Sequence, residues 1–411
     1  MMMHPAANEA SRRPAVVFLG TPYYPELIEA THQRGYAYLA IGQRLSVAQA
    51  MAVDGAVACS LDDAEAVRDA LTRMAGQWAL CGIVSLNEYR VEAAAEFARS
   101  LDLVYPRGIA NLRRKHELRA LLSKAGLPAP RYATFNHLAE VTRLLQTMAL
   151  PVVVKPTADS GSRHVTLCHT PEETQDAATA VLRSPAYTGP ATPPYGLMEE
   201  FIPGPEYSIE GYVHRGRIAI VAMTEKRTTP GPQFVELQHI VPGRAAPDAA
   251  NAIERTVIRA LQVLGVDNVV FHAECRWHVE HRQPYIIEIN PRPAGDRIPD
   301  LVRATTGLDL RTAALAIALG ETPEQGRKPP TASVAGIRFF HADRAGVVRR
   351  TRTVQDLRIQ QVHWYGKAGQ HVGPTTDNFS RLGYVMASAS TYEEVEAVLT
   401  SVEDTFCIAT E

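Results

Sequence analysis

Ile286-Ile287-Glu288-Ile289-Asn290-Pro291-Arg292 is the stretch on which the fold turns. It closes an apolar run that reads as a strand from Pro284 to Asn290. Successive strand side chains point to opposite faces, so Glu288 and Asn290 share one face, with Ile287 and Ile289 on the other. A second predicted strand, Val269–Trp277, contains Phe271-His272-Ala273-Glu274-Cys275, which puts His272 and Glu274 on a common face. If the two strands are neighbours, Glu274, Glu288 and Asn290 converge as hard oxygen ligands, the type Mg²⁺ prefers. Arg292 then supplies a positive fork suited to a phosphoryl group or a developing oxyanion. Taken alone, the pattern reads equally well as edge carboxylates on a solvated sheet face, because short acidic patterns are common.

Working outward, Pro151-Val152-Val153-Val154-Lys155 is a β-branched strand that places Lys155 at its end. The loop Asp159-Ser160-Gly161-Ser162-Arg163-His164 follows. Glycine and small hydroxyl residues let backbone N–H groups approach phosphate oxygens closely. No P-loop pattern occurs anywhere, and by itself the segment is equally an ordinary hairpin. Lys115 and Arg119 lie four residues apart on a helix predicted over 111–124, hence on one face, for which a solvated basic face is the default. Glu199-Glu200-Phe201-Ile202-Pro203-Gly204-Pro205-Glu206 reads as strand, hinge, strand. The hinge can present backbone groups to an adenine edge, Phe201 and Ile202 give apolar contact, and Glu206 can accept from ribose hydroxyls. A β-hairpin with acidic outer positions is the plain alternative.

Strands at Ala15–Gly20, Tyr36–Ile41, Ala56–Cys59 and Gly82–Ser85 alternate with helical patterns, which predicts a Rossmann-like open parallel sheet. Phe18-Leu19-Gly20-Thr21-Pro22 is not a dinucleotide fingerprint, so NAD is not inferred. The expected division is a loose tail over 1–14, the Rossmann-like domain over 15–112, two α+β lobes over 113–324 (the mobile lobe about 120–198), and a small C-terminal α+β domain over 325–411. A proline-rich surface loop is expected over 185–195 and a linker over 325–331.

The chain has 411 residues, 46% hydrophobic and 21% charged, with formal net charge −2. That is ordinary globular composition, with no support for a nucleic-acid or anionic-membrane surface. No apolar stretch approaches the ~20 residues that span a bilayer. Five cysteines (59, 81, 168, 275, 407), an odd count without a Cys-x-x-Cys pair, fit reduced thiols in a cytoplasm.

Taken in order, Lys115, Lys155 with its glycine loop, the Glu199–Glu206 hinge, His272-Ala273-Glu274 and the stretch from Glu288 resemble the ATP-grasp superfamily. The resemblance implies ATP between two α+β lobes. Lys115, Lys155 and Ser160, Gly161 and Ser162 then face phosphates, Glu199 to Ile202 face adenine, and Glu206 faces ribose. Glu274, Glu288 and Asn290 become ligands to two Mg²⁺ ions (Mn²⁺ as an expected substitute), and Arg292 the phosphate-stabilising arginine. Thr224-Glu225-Lys226 followed by Pro232-Gln233-Phe234-Val235-Glu236-Leu237-Gln238-His239 is similar to the amino-acid and dipeptide ligases, including carnosine-synthase-like enzymes. Gln238 replaces their usual glycine, which puts the local backbone in question.

The activity implied is an ATP-dependent carboxylate–amine ligase acting through an acyl phosphate on small acids and amines, with amino acids the expected substrates. Small-peptide or secondary-metabolite biosynthesis is the expected setting, and a homodimer the expected assembly. An ATP-dependent carboxylase or purine-pathway ligase, and a nucleotide-binding regulatory module, stand as alternatives. Substrate-side candidates are His239, Lys226, Glu236, Glu88, and the pair Asp296 and Arg297. His239 is equally a structural histidine, Glu88 equally a helix-start carboxylate, and Asp296 with Arg297 equally an ion pair that only shapes its loop.

Overall fold

A computed structural model describes the chain except residues 1–11, 22, 111, 185–194, 324–327, 350–355, 402–407, 410 and 411. The tail over 1–11, the loop over 185–194 and part of the linker therefore lie outside the described residues.

The N-terminal sheet contains β1 (Pro14–Leu19), β2 (Ala37–Gly42), β3 (Gly55–Ala58) and β4 (Ala79–Val84), all parallel, in the order β3-β2-β1-β4. Helices α1 (Pro25–Gln33), α2 (Val47–Met51), α3 (Ala64–Ala75) and α4 (Val91–Ser100) complete this part. Its strands are apolar on both faces because a parallel sheet is covered on both. Val17 and Leu39 pack in one cluster, Val16 and Tyr38 in another.

Next comes α5 (Lys115–Lys124), shorter than the helix predicted from 111 because residues 112–114 form a turn. A small antiparallel sheet follows, β5-β8-β6-β7, from β5 (Tyr132–Phe135), β6 (Val152–Pro156), β7 (Thr166–Cys168) and β8 (Gly196–Glu200). Two helices that the sequence pattern did not reveal, α6 (Leu138–Leu144) and α7 (Pro171–Arg183), cover it. Thr170 caps α7 with Glu173 in a reciprocal capping box, a start signal that was legible in the sequence.

The second sheet is larger. Its strands are β9 (Glu206–His214), β10 (Arg217–Thr228), β11 (Glu236–Val241), β12 (Val269–His278) and β13 (Gln283–Asn290), with α8 (Pro247–Val263) between β11 and β12. Helices α9 (Ile298–Thr306) and α10 (Leu310–Ala318) follow. The C-terminal part supplies β14 (Val334–Phe340), β15 (Gly346–Val348), β16 (Ile359–Trp364), β17 (His371–Val372), β18 (Gly383–Ala389), α11 (Tyr392–Ser401) and β19 (Ile408–Ala409). Strands β14, β18 and β16 continue the same sheet, in the order β13-β12-β9-β10-β11-β14-β18-β16. The region over 206–290 and the C-terminal region thus share one eight-stranded sheet.

Helix α8 lies on one face of that sheet, where Ile253, Val257 and Leu261 meet Phe271 and Ile289. Helices α9 and α10 lie on the other, where Val302 and Ile317 meet Val270 and Ile337. Helix α10, Leu-Arg-Thr-Ala-Ala-Leu-Ala-Ile-Ala, is apolar nearly all round because it is buried on two sides. Its Leu315 and Ala318 pack with Phe18 and Val84 of the N-terminal sheet. Among the described residues no helix is long and apolar enough to cross a membrane, and Cys59, Cys81, Cys168 and Cys275 are free thiols.

Candidate active site

Strands β12 and β13 are antiparallel neighbours, with Glu274 opposite Glu288 and His272 opposite Asn290. The carboxylate–amide set anticipated from alternation is therefore brought to one face. One detail differs. The register jumps between Glu274/Glu288 and Cys275/Ile286, so Ile287 is an extra residue on β13. Such a bulge interrupts alternation. Ile286 and Ile289 point into the core, while Ile287 lines the cleft beside Glu288.

A cleft of about 920 Å³ runs between the two sheets. Lys115, Lys155, Ser160, Gly161, Ser162, Glu199, Glu200, Phe201, Ile202 and Glu206 all line it, as do Glu236, Glu274 and Glu288. Lys155 Nζ lies 2.5 Å from Glu199. Burial pulls the Lys155 ammonium below its usual range, and Glu199 offsets only part of that. Lys115 Nζ donates to the Asp159 carbonyl at 2.9 Å and lies 3.6 Å from Glu288. Glu200 turns outward and accepts from Arg131 N and Nε, so the two adjacent glutamates have different partners.

Arg119, for which the sequence suggested a solvated face, is the largest fully buried side chain among the described residues. Its guanidinium donates to Glu199 at 2.9 Å and to the Ile287 carbonyl at 2.8 Å. One side chain on α5 thus ties β8 of the small sheet to β13 of the large one. The i,i+4 pairing with Lys115 carried no such information, because the partners come from distant strands.

The hinge end of the cleft is aromatic. Phe201 and Phe234 stack with centroids 6.1 Å apart, and Arg276 lies over both rings. Arg276 also donates to the Gly204 carbonyl at 2.9 Å and pairs with Glu206 at 3.5 Å. Arg276 and Phe234 were missed at the sequence level, although Arg276 follows Glu274 by two residues and so shares its face.

The glycine loop is held from both sides. Ser160 Oγ and Tyr89 Oη are 2.8 Å apart, linking the loop to the N-terminal part. Asn378 N donates to the Gly161 carbonyl at 3.0 Å, linking it to the C-terminal part. Gly161 (φ 69°), Ser162 (φ 57°) and His164 (φ 52°) are left-handed, a strain that clusters at functional sites. A Cβ on Gly161 would lie 2.4 Å from the Phe379 ring. Gly161→Ala is expected to cost about 1–2 kcal/mol for the left-handed residue alone, plus the clash. Denaturant unfolding should show that adding Phe379→Ala recovers only the clash. Full recovery by the double variant would remove the strain argument. Tyr89→Phe deletes only the hydroxyl and, with the loop facing phosphate as the resemblance implies, should raise the KM for ATP about two- to tenfold, the usual worth of one hydrogen bond; an unchanged KM would detach Tyr89 from the loop's function.

Beyond the glycine loop lies a second chamber of about 730 Å³ that shares Ser160, Gly161, Glu236, Glu274, Glu288 and Asn378 with the cleft. All three parts of the chain wall it. Glu88 comes from the N-terminal part, Arg292 and Asp296 from the segment after β13, and Phe379 and Arg381 from the C-terminal part. Arg292 donates to Glu88 at 2.6 Å, so Glu88 neither begins α4 nor stands free; its other oxygen is buried without a hydrogen-bond partner. Lys226 is a hub among Glu274 (2.5 Å), Glu236 (2.7 Å) and Glu206 (3.4 Å). Burial opposes its charge, but the three carboxylates hold the ammonium well above its usual range.

His239 is fully buried, 3.1 Å from Glu236 and 3.5 Å from Asp296. Burial lowers its basicity; the two carboxylates outweigh that and raise it. Gln238, the residue in place of glycine, sits opposite Arg227, directly beside a register shift at Arg227/Thr228, and accepts from Arg338 at 3.0 Å. The substitution leaves the strand intact. Asp296 and Arg297 do not pair with each other. Asp296 is gripped by Arg381 through bonds of 2.6 and 2.7 Å, whereas Arg297 turns away toward Asp300 and the Tyr384 ring. Arg381 lies 85 residues from its partner, and no local motif marks it.

The donor set suits a divalent cation. Asn290 Oδ1 is buried with no hydrogen-bond partner. Burial pushes the Glu288 carboxyl up; Lys115 pulls against it, while Glu88 and Glu274 push further. Two carboxylates and an orphaned amide oxygen are hard ligands in need of positive charge. Glu274 is at present satisfied by Lys226 and by His272 at 3.1 Å, so a cation there would share it.

Two sheets closing on a cleft with lysines and a glycine loop at one wall and paired carboxylates at the other define the two-lobed, nucleotide-gripping class of fold. Residues 148–300 match the ATP-grasp domain, and residues 338–411 match the L-amino acid ligase C-terminal domain 2. The chain thus contains an ATP-grasp domain and the C-terminal domain of the L-amino acid ligases. Alanine–anticapsin ligase of Bacillus amyloliquefaciens is 27% identical over 268 residues, covering 60% of this chain and 55% of that protein. Carnosine synthase 1 of Gallus gallus is 28% identical over 154 residues, covering 37% of this chain and 16% of that protein. The chain thus spans about half of the first relative's length and a small part of the second's. The crystal structure of L-amino acid ligase from Bacillus licheniformis shares the fold with a TM-score of 0.80 at 23% identity, covering 98% of this chain and 100% of that one.

Proposed function

We propose that this chain is an ATP-dependent ligase that joins a small carboxylic acid, typically an amino acid, to an amine through an acyl phosphate. The observation that carries the reading is the continuity of the two cavities across Glu274, Glu288 and the glycine loop. Phosphate is delivered at one side of that boundary, and substrates meet at the other. In this reading 15–112, 113–324 and 325–411 act as the three walls of one reaction chamber.

Carboxylate is a poor electrophile and phosphate a good leaving group. Lys115 and Lys155 face the ATP phosphates, Glu206 the ribose, and the Phe201–Phe234 pair the adenine. Glu274, Glu288 and Asn290 would hold Mg²⁺, which when bound neutralises phosphate charge and orients the γ-phosphoryl group. The substrate carboxylate oxygen attacks the γ-phosphorus and the bond to ADP breaks. The amine nitrogen then attacks the acyl carbon, Arg292 stabilises the tetrahedral oxyanion, and phosphate leaves as the C–N bond is completed. In this reading Glu236, which lines the chamber, takes the proton that the amine gives up, with His239 3.1 Å behind it. Loop 160–164, bridged to Tyr89 and Asn378, excludes water from the acyl phosphate.

ADP release over pairs of amino acids and small acids, read by mass spectrometry, tests the proposal. The expected product mass is the sum of two substrates minus water. ADP release that needs bicarbonate and no amine would replace this reading with a carboxylase. ATP binding without ADP from any pair would leave a regulatory module.

A further inference from the structure

Two buried charged groups beside the metal strand take no part in the chemistry described so far. Glu210 on β9 is fully buried, and His272 on β12 is buried directly opposite it. We propose that Glu210 is a positioning residue for the divalent-cation site: through His272 it anchors one oxygen of Glu274, so that the other is presented to the metal. This rests on the reading of Glu274 as a metal ligand and adds the residues that aim it.

Strand pairing lays out the chain of contacts. Ser208 is opposite both Thr224 and Glu274, and Glu210 is opposite His272, so these side chains share one face of the large sheet. Glu210 accepts from Ser208 Oγ at 2.7 Å, from Thr224 Oγ1 at 3.4 Å, and from His272 Nδ1 at 3.0 and 3.1 Å. The other ring nitrogen, Nε2, lies 3.1 Å from Glu274 Oε1. An ionised carboxylate only accepts, so both ring nitrogens donate and the ring is an imidazolium held between two carboxylates.

Lys226 Nζ donates to the same Oε1 of Glu274 at 2.5 Å. The hydrogen bonds that Glu274 accepts among the described residues thus fall on Oε1, which leaves Oε2 to the cleft and the chamber that Glu274 lines. Glu210 lines neither cavity. It reaches a bound ion only through His272, and its charge offsets an imidazolium that alone would repel a divalent cation. A carboxylate so far from water is costly unless it is paired; here the pairing fixes a ligand, as groups hydrogen-bonded to metal ligands do.

Mn²⁺ binding followed by electron paramagnetic resonance, with an unreactive ATP analogue present, tests the role without turnover. Glu210→Gln keeps the shape, removes the charge and should weaken Mn²⁺ binding about 10–100-fold, the usual effect of losing a group that orients a metal ligand. His272→Gln should weaken it by a similar factor. The double variant should bind no more weakly than His272→Gln alone, because Glu210 acts through that ring. Ser208→Ala takes one bond from Glu210 but leaves the imidazolium in place, and should change the affinity much less. Where Glu210→Gln does not fold, Glu210→Asp carries the same test with a smaller loss expected. Unchanged affinity in the Glu210 variant that folds, losses that add in the double variant, or an equal loss in Ser208→Ala overturns the positioning role. Wild-type affinity in Glu274→Gln would remove the ligand itself and the role with it. Absent ADP release with these affinities as expected would count against the ligase reading alone.

Discussion

Arg119→Met should cost about 3–5 kcal/mol of folding stability, the usual penalty for leaving a buried charge without its partner. Glu199 is almost fully buried, and its carboxylate is shared by Arg119 and Lys155. Burial pushes Glu199 up, yet Arg119 and then Lys155 hold it below the usual carboxylate range. Removing Arg119 takes away the larger of these two attractions, and also the bond to the Ile287 carbonyl that ties the large sheet to the small one. The pH dependence follows. A carboxyl whose folded value is depressed stabilises the fold above its unfolded value, about 4.3, and loses that contribution as pH falls through the folded value. The wild-type protein should therefore show an acid-side loss of stability that shrinks in the variant. Denaturant unfolding between pH 3 and 7 reads both effects. Replacing Arg119 and Glu199 together by methionine should not recover the loss, because buried Lys155 then lacks its carboxylate partner; recovery should need Lys155→Met as well. A single variant as stable as wild type would show that the lobes are joined by other contacts.

Arg292→Gln should lower kcat by about 10²–10³, the usual effect of removing one donor to a developing oxyanion, with a much smaller change in the KM for ATP. Lysine should not restore the rate, because a point charge lacks the planar fork. Glu88→Gln provides the comparison. Glu88 holds Arg292 at 2.6 Å and contacts it in the chamber, so its loss should lower kcat less than the loss of the arginine itself. Steady-state kinetics with any substrate pair found by the ADP screen measures all three. A wild-type kcat in Arg292→Gln would remove the arginine from the chemistry.

Much of the fold was legible because its strands carry strong local patterns. The parallel N-terminal sheet followed from apolar runs alternating with helical segments, and the paired strands β12 and β13 from two acidic apolar runs. The helices α6, α7 and α9 escaped because short amphipathic stretches near loops look like loops, although the capping box at Thr170 was available, and α10 escaped because a helix apolar nearly all round shows no helical face. The continuity of the C-terminal strands with the large sheet was not legible either, since the pairing of β11 with β14 joins residues about a hundred positions apart.

The site divides in the same way. The sequence by itself determined which residues share a strand face, because alternation is a property of the local backbone: Glu288 with Asn290, and His272 with Glu274. Only the tertiary structure decided where the long, charged side chains end. It buried Arg119 between two sheets, gave Glu88 to Arg292, separated Asp296 from Arg297, and brought Arg381 to Asp296 from 85 residues away. It also placed the bulge that turns Ile287 toward the cleft. The physical reason is that a buried charge must find an opposite charge wherever the packed chain supplies one, and that choice is made by contacts between distant segments rather than by neighbours in sequence.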